Sequence, residues 1–280
     1  MKVHDSMRAS YPHIFKYLGP WLQQLLNMSG NEEYKIILNE FERVWGGIAQ
    51  EEREQNLERL DRHIDIASRV CSNFQSLFSE KRELGNDVEK ANEAIFDKLA
   101  EIRAIVGLHR LDFKDIKFIK HPDLFAKFKG KNFLVEVTRL GNTTGKRADI
   151  YDSDTIESES GIRTRQIFDG EKSKSVGVIS EAIYYKIVDK YGQFRNPKYQ
   201  SDGWIVWISI GRDYLTVPKY VMEYTEALAV MPNAKRALDL AMQEIIKDKK
   251  RGLYSCLSYS ILSLGRDDSD LVSPELRINV

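Results

Sequence analysis

The residues best spaced to do chemistry lie between positions 122 and 140, PDLFAKFKGKNFLVEVTRL. Asp123 follows a proline there, and Glu136 and Thr138 interrupt a run of Phe, Leu and Val. Side chains alternate along a strand, so Phe133, Val135 and Val137 share one side while Leu134, Glu136 and Thr138 share the other. If Lys129-Gly130 is a two-residue hairpin loop, Phe128 pairs with Lys131 and Asp123 falls opposite Glu136. A four-residue loop opposes Asp123 and Thr138 instead, and the shared face survives. Two facing carboxylates repel, and a partly buried pair costs several kcal/mol or takes up a proton. A divalent cation removes that penalty, and Mg²⁺ prefers one or two carboxylates plus water and phosphate oxygens. The plainer alternative is that Asp123 only starts a turn and Glu136 meets a lysine on an exposed face.

Two helical segments add to this set. Over residues 88–109, a step of about 100° per residue puts Ile95, Leu99, Ile102 and Val106 on a central stripe and Glu101 at its margin, half-buried. Over 172–192, Val176, Ile179 and Ile183 define a stripe into which Lys186 and Lys190 also fall. Lysines belong on the opposite face unless they reach something; snorkelling at the helix end explains Lys190 better than Lys186.

The elements that must position these groups follow in order. Residues 1–86 read as an all-helical extension, with segments such as EYKIILNEFERVW and LERLDRHIDIASRVCSNFQSLF repeating apolar residues at three- and four-residue steps. Residues 87–280 read as one mixed α/β (α+β) domain. A helix (88–109) precedes strands near 114–119, 123–128 and 132–139, then a helix (172–192) and the apolar strand GWIVWISI. This α-β-β-β-α-β order favours a mixed central sheet. Helices at 218–230 and 233–249, a strand at 253–263 and a short tail strand complete the chain. The polar segment 141–170 is too long for a routine connection and reads as a mobile, substrate-facing loop or as disorder. Its GNTTGK piece lacks the Walker spacing.

Composition sets outer bounds. The 280 residues carry 42 basic and 42 acidic side chains, which argues against binding to nucleic acid by bulk charge alone. Residues 111–200, with 17 basic and 13 acidic, are the net basic third. No apolar run approaches a membrane span and the N-terminus lacks signal-peptide order, so a soluble, cytoplasmic chain without a membrane partner is expected. Cys71 and Cys256 read as buried small apolar residues. His4, His13, His63, His109 and His121 form no HxxxH or HxH pair and read mostly as surface or capping residues, although His121 adjoins Pro122-Asp123 in sequence.

Glu101 in LAEIRAIVGL, Pro122-Asp123 and Glu136 in LVEVT resemble the PD-(D/E)xK nuclease superfamily over residues 88–210. The resemblance implies a restriction-endonuclease-like fold and Mg²⁺-dependent phosphodiester hydrolysis, with Mn²⁺ able to substitute. It implies a nucleic-acid partner, DNA first, and a homodimer if both strands are cut. Asp123, Glu136 and the Val137 carbonyl would hold the metal, and Glu101 would complete the shell or a second site. Thr138 occupies the motif's lysine position. The catalytic lysine is then expected on the following helix, Lys186 first and Lys190 second, with Gln193 accessory and Lys127 a third choice. Thr138 would hydrogen-bond water or a ligand carboxylate. Lys117, Lys120, Lys129, Lys131, Arg139, Lys146 and Arg147 are candidate phosphate contacts. The competing reading is an inactive module of the same core that binds nucleic acid or serves as a scaffold.

Overall fold

A computed structural model describes residues 9–21, 50–79, 88–140, 155–157, 163–165, 172–191, 194, 198–210, 231–251, 253, 256–263 and 270–272. Among the described residues, four long helices, α1 (Gln50–Val70), α2 (Val88–Arg110), α3 (Lys172–Tyr191) and α4 (Met231–Lys250), flank a mixed six-stranded sheet. Its strands are β1 (Lys114–Phe118), β2 (Leu124–Phe128), β3 (Lys131–Leu140), β6 (Gly203–Ile210), β7 (Leu257–Ser263) and β8 (Asp270–Val272), in spatial order β1-β2-β3-β6-β7-β8. β1, β2 and β3 form an antiparallel meander; β6 and β7 join β3 in parallel, and β8 closes the far edge antiparallel. The parallel connections need crossovers, and α3 and α4 lie in them.

Alternation along β3 sorts the core into two layers. Phe133, Val135 and Val137 pack with Ile205 and Trp207 of β6 against α2 and the α1 region. Leu134 packs on the other face with Val206 and Ile208, under Ile183 and Ile187 of α3 and Leu238, Met242 and Ile245 of α4. Because helices cover both faces, β6 is apolar at nearly every position. Tyr184 of α3 donates its hydroxyl to Asp248 Oδ2 of α4 at 2.7 Å, which ties the two covering helices together. The stripe Ile95, Leu99, Ile102 and Val106 is buried as its spacing predicts.

The N-terminal helices share this core. Leu57, Leu60, Ile64 and Ala67 recur on one side of α1 and join the same cluster as Phe133 and Trp207. Asp61 Oδ1 accepts the backbone N–H of His13 and Ile14, both at 2.8 Å, and so fastens the segment around Tyr11–Trp21 to α1.

Three sequence expectations need correction or addition. Cys71 is buried, but Cys256 is exposed. Within the polar segment, β4 (Thr155–Glu157) and β5 (Arg163–Arg165) pair as a small antiparallel ladder, which its composition does not suggest. The helices expected around 33–45 and 218–230, and the remainder of the segment 141–170, lie outside the described residues. No helix among the described residues is long and apolar enough to cross a membrane.

Candidate active site

The hairpin between β2 and β3 sets the geometry. Lys129 and Gly130 have φ of 49° and 76°, the left-handed pair that a two-residue turn of the mirror type requires. The ladder therefore starts at Phe128↔Lys131 and runs to Leu124↔Val135. Beyond Val135 the strands separate, while β3 continues to Leu140 against β6 alone. Asp123 stands at this fork, one step past Leu124, and so falls opposite Glu136. Its Oδ2 accepts the Val137 N–H at 2.8 Å, taking the place of the strand partner that β2 no longer supplies. The N–H and C=O of one residue in an extended strand point the same way, so the Val137 carbonyl also faces the fork.

Glu136 shares the face of Leu134, under α3. It is 2% exposed, and Lys190 of α3 reaches its Oε1 at 2.9 Å. Burial pushes the Glu136 carboxyl up to about 7; Asp123 adds to the rise, while Lys190 and the Asp123 backbone N–H oppose it. Asp123 is raised to about 6, again by burial, against the Val137 N–H, Lys190 and Lys98. Lys186 lies one turn earlier on α3 and is half-buried. On that stripe, Lys190 stands 2.9 Å from Glu136 Oε1.

Glu101 comes from α2 and is more deeply buried than its marginal position implies. Its Oε2 accepts from Lys98 Nζ at 2.8 Å, and Lys98 Nζ also lies 5.2 Å from the centre of the Phe118 ring. Burial lifts Glu101 to about 8, opposed by Lys98 and reinforced by Asp123. Asp123 is thus electrostatically joined to Glu136 on one side and Glu101 on the other. Lys98 is the site residue that sequence reasoning missed. Its signal was available: it follows Ile95 by three residues and precedes Ile102 by four, close to the apolar stripe.

The other expected residues divide. Thr138 is buried two residues beyond Glu136 on the same face. Lys127 pairs with Asp115 at 2.8 Å on the exposed part of β1 and β2, which removes it as a site lysine. Arg139 is not an open phosphate contact, because its Nε donates to Asp97 Oδ1 at 2.9 Å and its guanidinium covers the Phe96 ring. Lys117, Lys120, Lys129, Lys131, His109 and His121 are exposed. His63 is buried beside Arg110, with 3.3 Å between Nε2 and the guanidinium. His13 faces Asp65 across 3.7 Å. Lys146, Arg147, Gln193 and His4 lie outside the described residues.

Among the described residues, no three His, Cys, Asp or Glu side chains converge as a ready metal cluster. The donors at the fork are two carboxylates and one backbone carbonyl. That set fits Mg²⁺, which takes few protein ligands and keeps its waters, better than a cation that needs an all-protein cage. Compared with protein-family models, curated proteins and solved structures, the chain matches none.

Proposed function

We propose that the chain is a metal-dependent nuclease of the PD-(D/E)xK type that hydrolyses phosphodiester bonds of nucleic acid, DNA above all. The observation that carries this reading is Lys190 at 2.9 Å from Glu136, beside Asp123 where β2 and β3 diverge. In this reading α3, through Lys190, would supply the lysine that the motif puts at position 138. The order α2, β1, β2, β3, α3, β6, with the small β4–β5 ladder inserted before α3, supports the same restriction-endonuclease-like reading.

Asp123, Glu136 and the Val137 carbonyl would hold Mg²⁺ or Mn²⁺. Bound there, the cation would activate a water and offset charge on the scissile phosphate. Lys190 already satisfies one Glu136 oxygen; it would orient the attacking water and counter charge that grows in the transition state. Thr138 offers a buried hydroxyl two residues along the same strand face. The exposed Lys117, Lys120, Lys129 and Lys131 would grip the backbone without reading sequence. Cutting both strands of a duplex would engage two copies of the chain.

The test is cleavage of supercoiled plasmid and short single strands with Mg²⁺ or Mn²⁺, with Asp123→Ala as control. Metal-dependent cutting that disappears in the variant is the expected result. No cutting with either metal, or cutting that survives Asp123→Ala, refutes the proposal. A binding module is the second reading, favoured by Thr138 at the motif's lysine position; it predicts nucleic-acid retention without cleavage.

A further inference from the structure

Accepting that reading of the fork, we infer that the centre takes one divalent cation and not two, and that Lys98 is the positioning residue that enforces this by holding Glu101 out of the coordination set. Lys98 Nζ sits 2.8 Å from Glu101 Oε2, with the two side chains 6% and 11% exposed. The ammonium is enclosed between that carboxylate and the Phe118 ring. Both residues lie three apart on one turn of α2, so the pair is held by a rigid element and is nearly closed to water. A cation recruiting Glu101 would have to displace an ammonium that has no solvent to retreat into.

Charge counting points the same way. Asp123 interacts electrostatically with two further carboxylates, Glu101 and Glu136, and with two ammoniums, Lys98 and Lys190. Asp97 is matched by Arg139. With all five ionised, one net negative charge remains. One divalent cation turns this to one net positive charge, which a single phosphodiester neutralises. A second would leave the substrate complex with two uncompensated positive charges in a largely buried site. A proton on Glu101 makes the balance more positive still. Removing Lys98 adds one negative charge and releases Glu101 toward Asp123, which creates the missing second site.

The experiment counts bound Mn²⁺ per chain by electron paramagnetic resonance and equilibrium dialysis, without nucleic acid. The wild-type chain should bind one Mn²⁺, Lys98→Gln two, and Lys98→Arg one again. The double variant Lys98→Gln/Glu101→Gln should return to one with wild-type affinity. This variant also serves if Lys98→Gln alone fails to fold, because paired amides can hydrogen-bond where the ion pair stood. Two Mn²⁺ on the wild-type chain, one on folded Lys98→Gln, or lost binding in the double variant overturns the role of Lys98. A wild-type chain that binds no Mn²⁺, or whose binding is untouched by Glu136→Gln, overturns the metal site itself and the inference with it.

Discussion

Replacing Glu136 by Gln should change how the stability of the metal-free protein depends on pH. Glu136 is 2% exposed, and burial with Asp123 beside it raises its carboxyl from 4.5 to about 7. Between those values the folded chain binds more protons than the unfolded chain, so stability falls as pH rises. The stabilisation is complete below about pH 4.5 and is lost as pH rises through about 7. Roughly 3 kcal/mol is involved in all, of which roughly 2–3 kcal/mol is lost between pH 5 and pH 8. Asp123 and Glu101 are raised in the same sense, so the whole protein should decline more steeply than this. Gln keeps the shape and has no proton to release. Lys190, 25% exposed, can turn its ammonium toward water when its partner loses charge. The variant's loss from pH 5 to pH 8 should therefore be smaller than the wild-type loss by roughly 2–3 kcal/mol. Urea unfolding followed by circular dichroism in the presence of chelator measures both proteins at both pH values. A variant that keeps the full wild-type decline refutes the reasoning, and so does a wild-type protein that gains stability toward pH 8.

Lys190→Met should lower kcat of metal-dependent cleavage by about 10²-fold or more with little change in KM, and Lys186→Ala should do less; a larger loss with Lys186→Ala would transfer the role. Because Thr138 lies on the Glu136 face, Thr138→Lys in the Lys190→Met background should recover part of that kcat, and no recovery would mean that the two positions do not serve one point in space. Gly130→Ala should destabilise by about 1 kcal/mol, since its φ of 76° suits glycine while nothing crowds the added methyl; a neutral result in chemical denaturation would remove the backbone argument for the turn.

Much of this protein could be read locally, because the signals involved are local. Alternation along LVEVT put Asp123 on the Glu136 face for a two- or a four-residue loop, and the observed two-residue Lys129-Gly130 turn set it opposite Glu136. The spacing of Ile95, Leu99, Ile102 and Val106 defined the buried side of α2, and the apolar run GWIVWISI marked a strand covered on both faces. What the sequence could not supply were distances between elements. Lys186 and Lys190 are four residues apart on one helical stripe, so periodicity does not separate them, and Lys186 was the first choice; the path of α3 across the sheet brings Lys190 to Glu136. Lys98 and Glu101 were visible as neighbours on α2, but the burial of the pair and the place of Lys98 over the Phe118 ring depend on how that helix lies over β1. Lys127 and Arg139 had the right charge and were taken up by Asp115 and Asp97, partners that packing chooses. The sequence by itself determined which faces carry acid and base, because face is a property of period. Tertiary structure decided which acid meets which base, because an ion pair forms only within a few ångströms and the chain's local periods do not encode that distance.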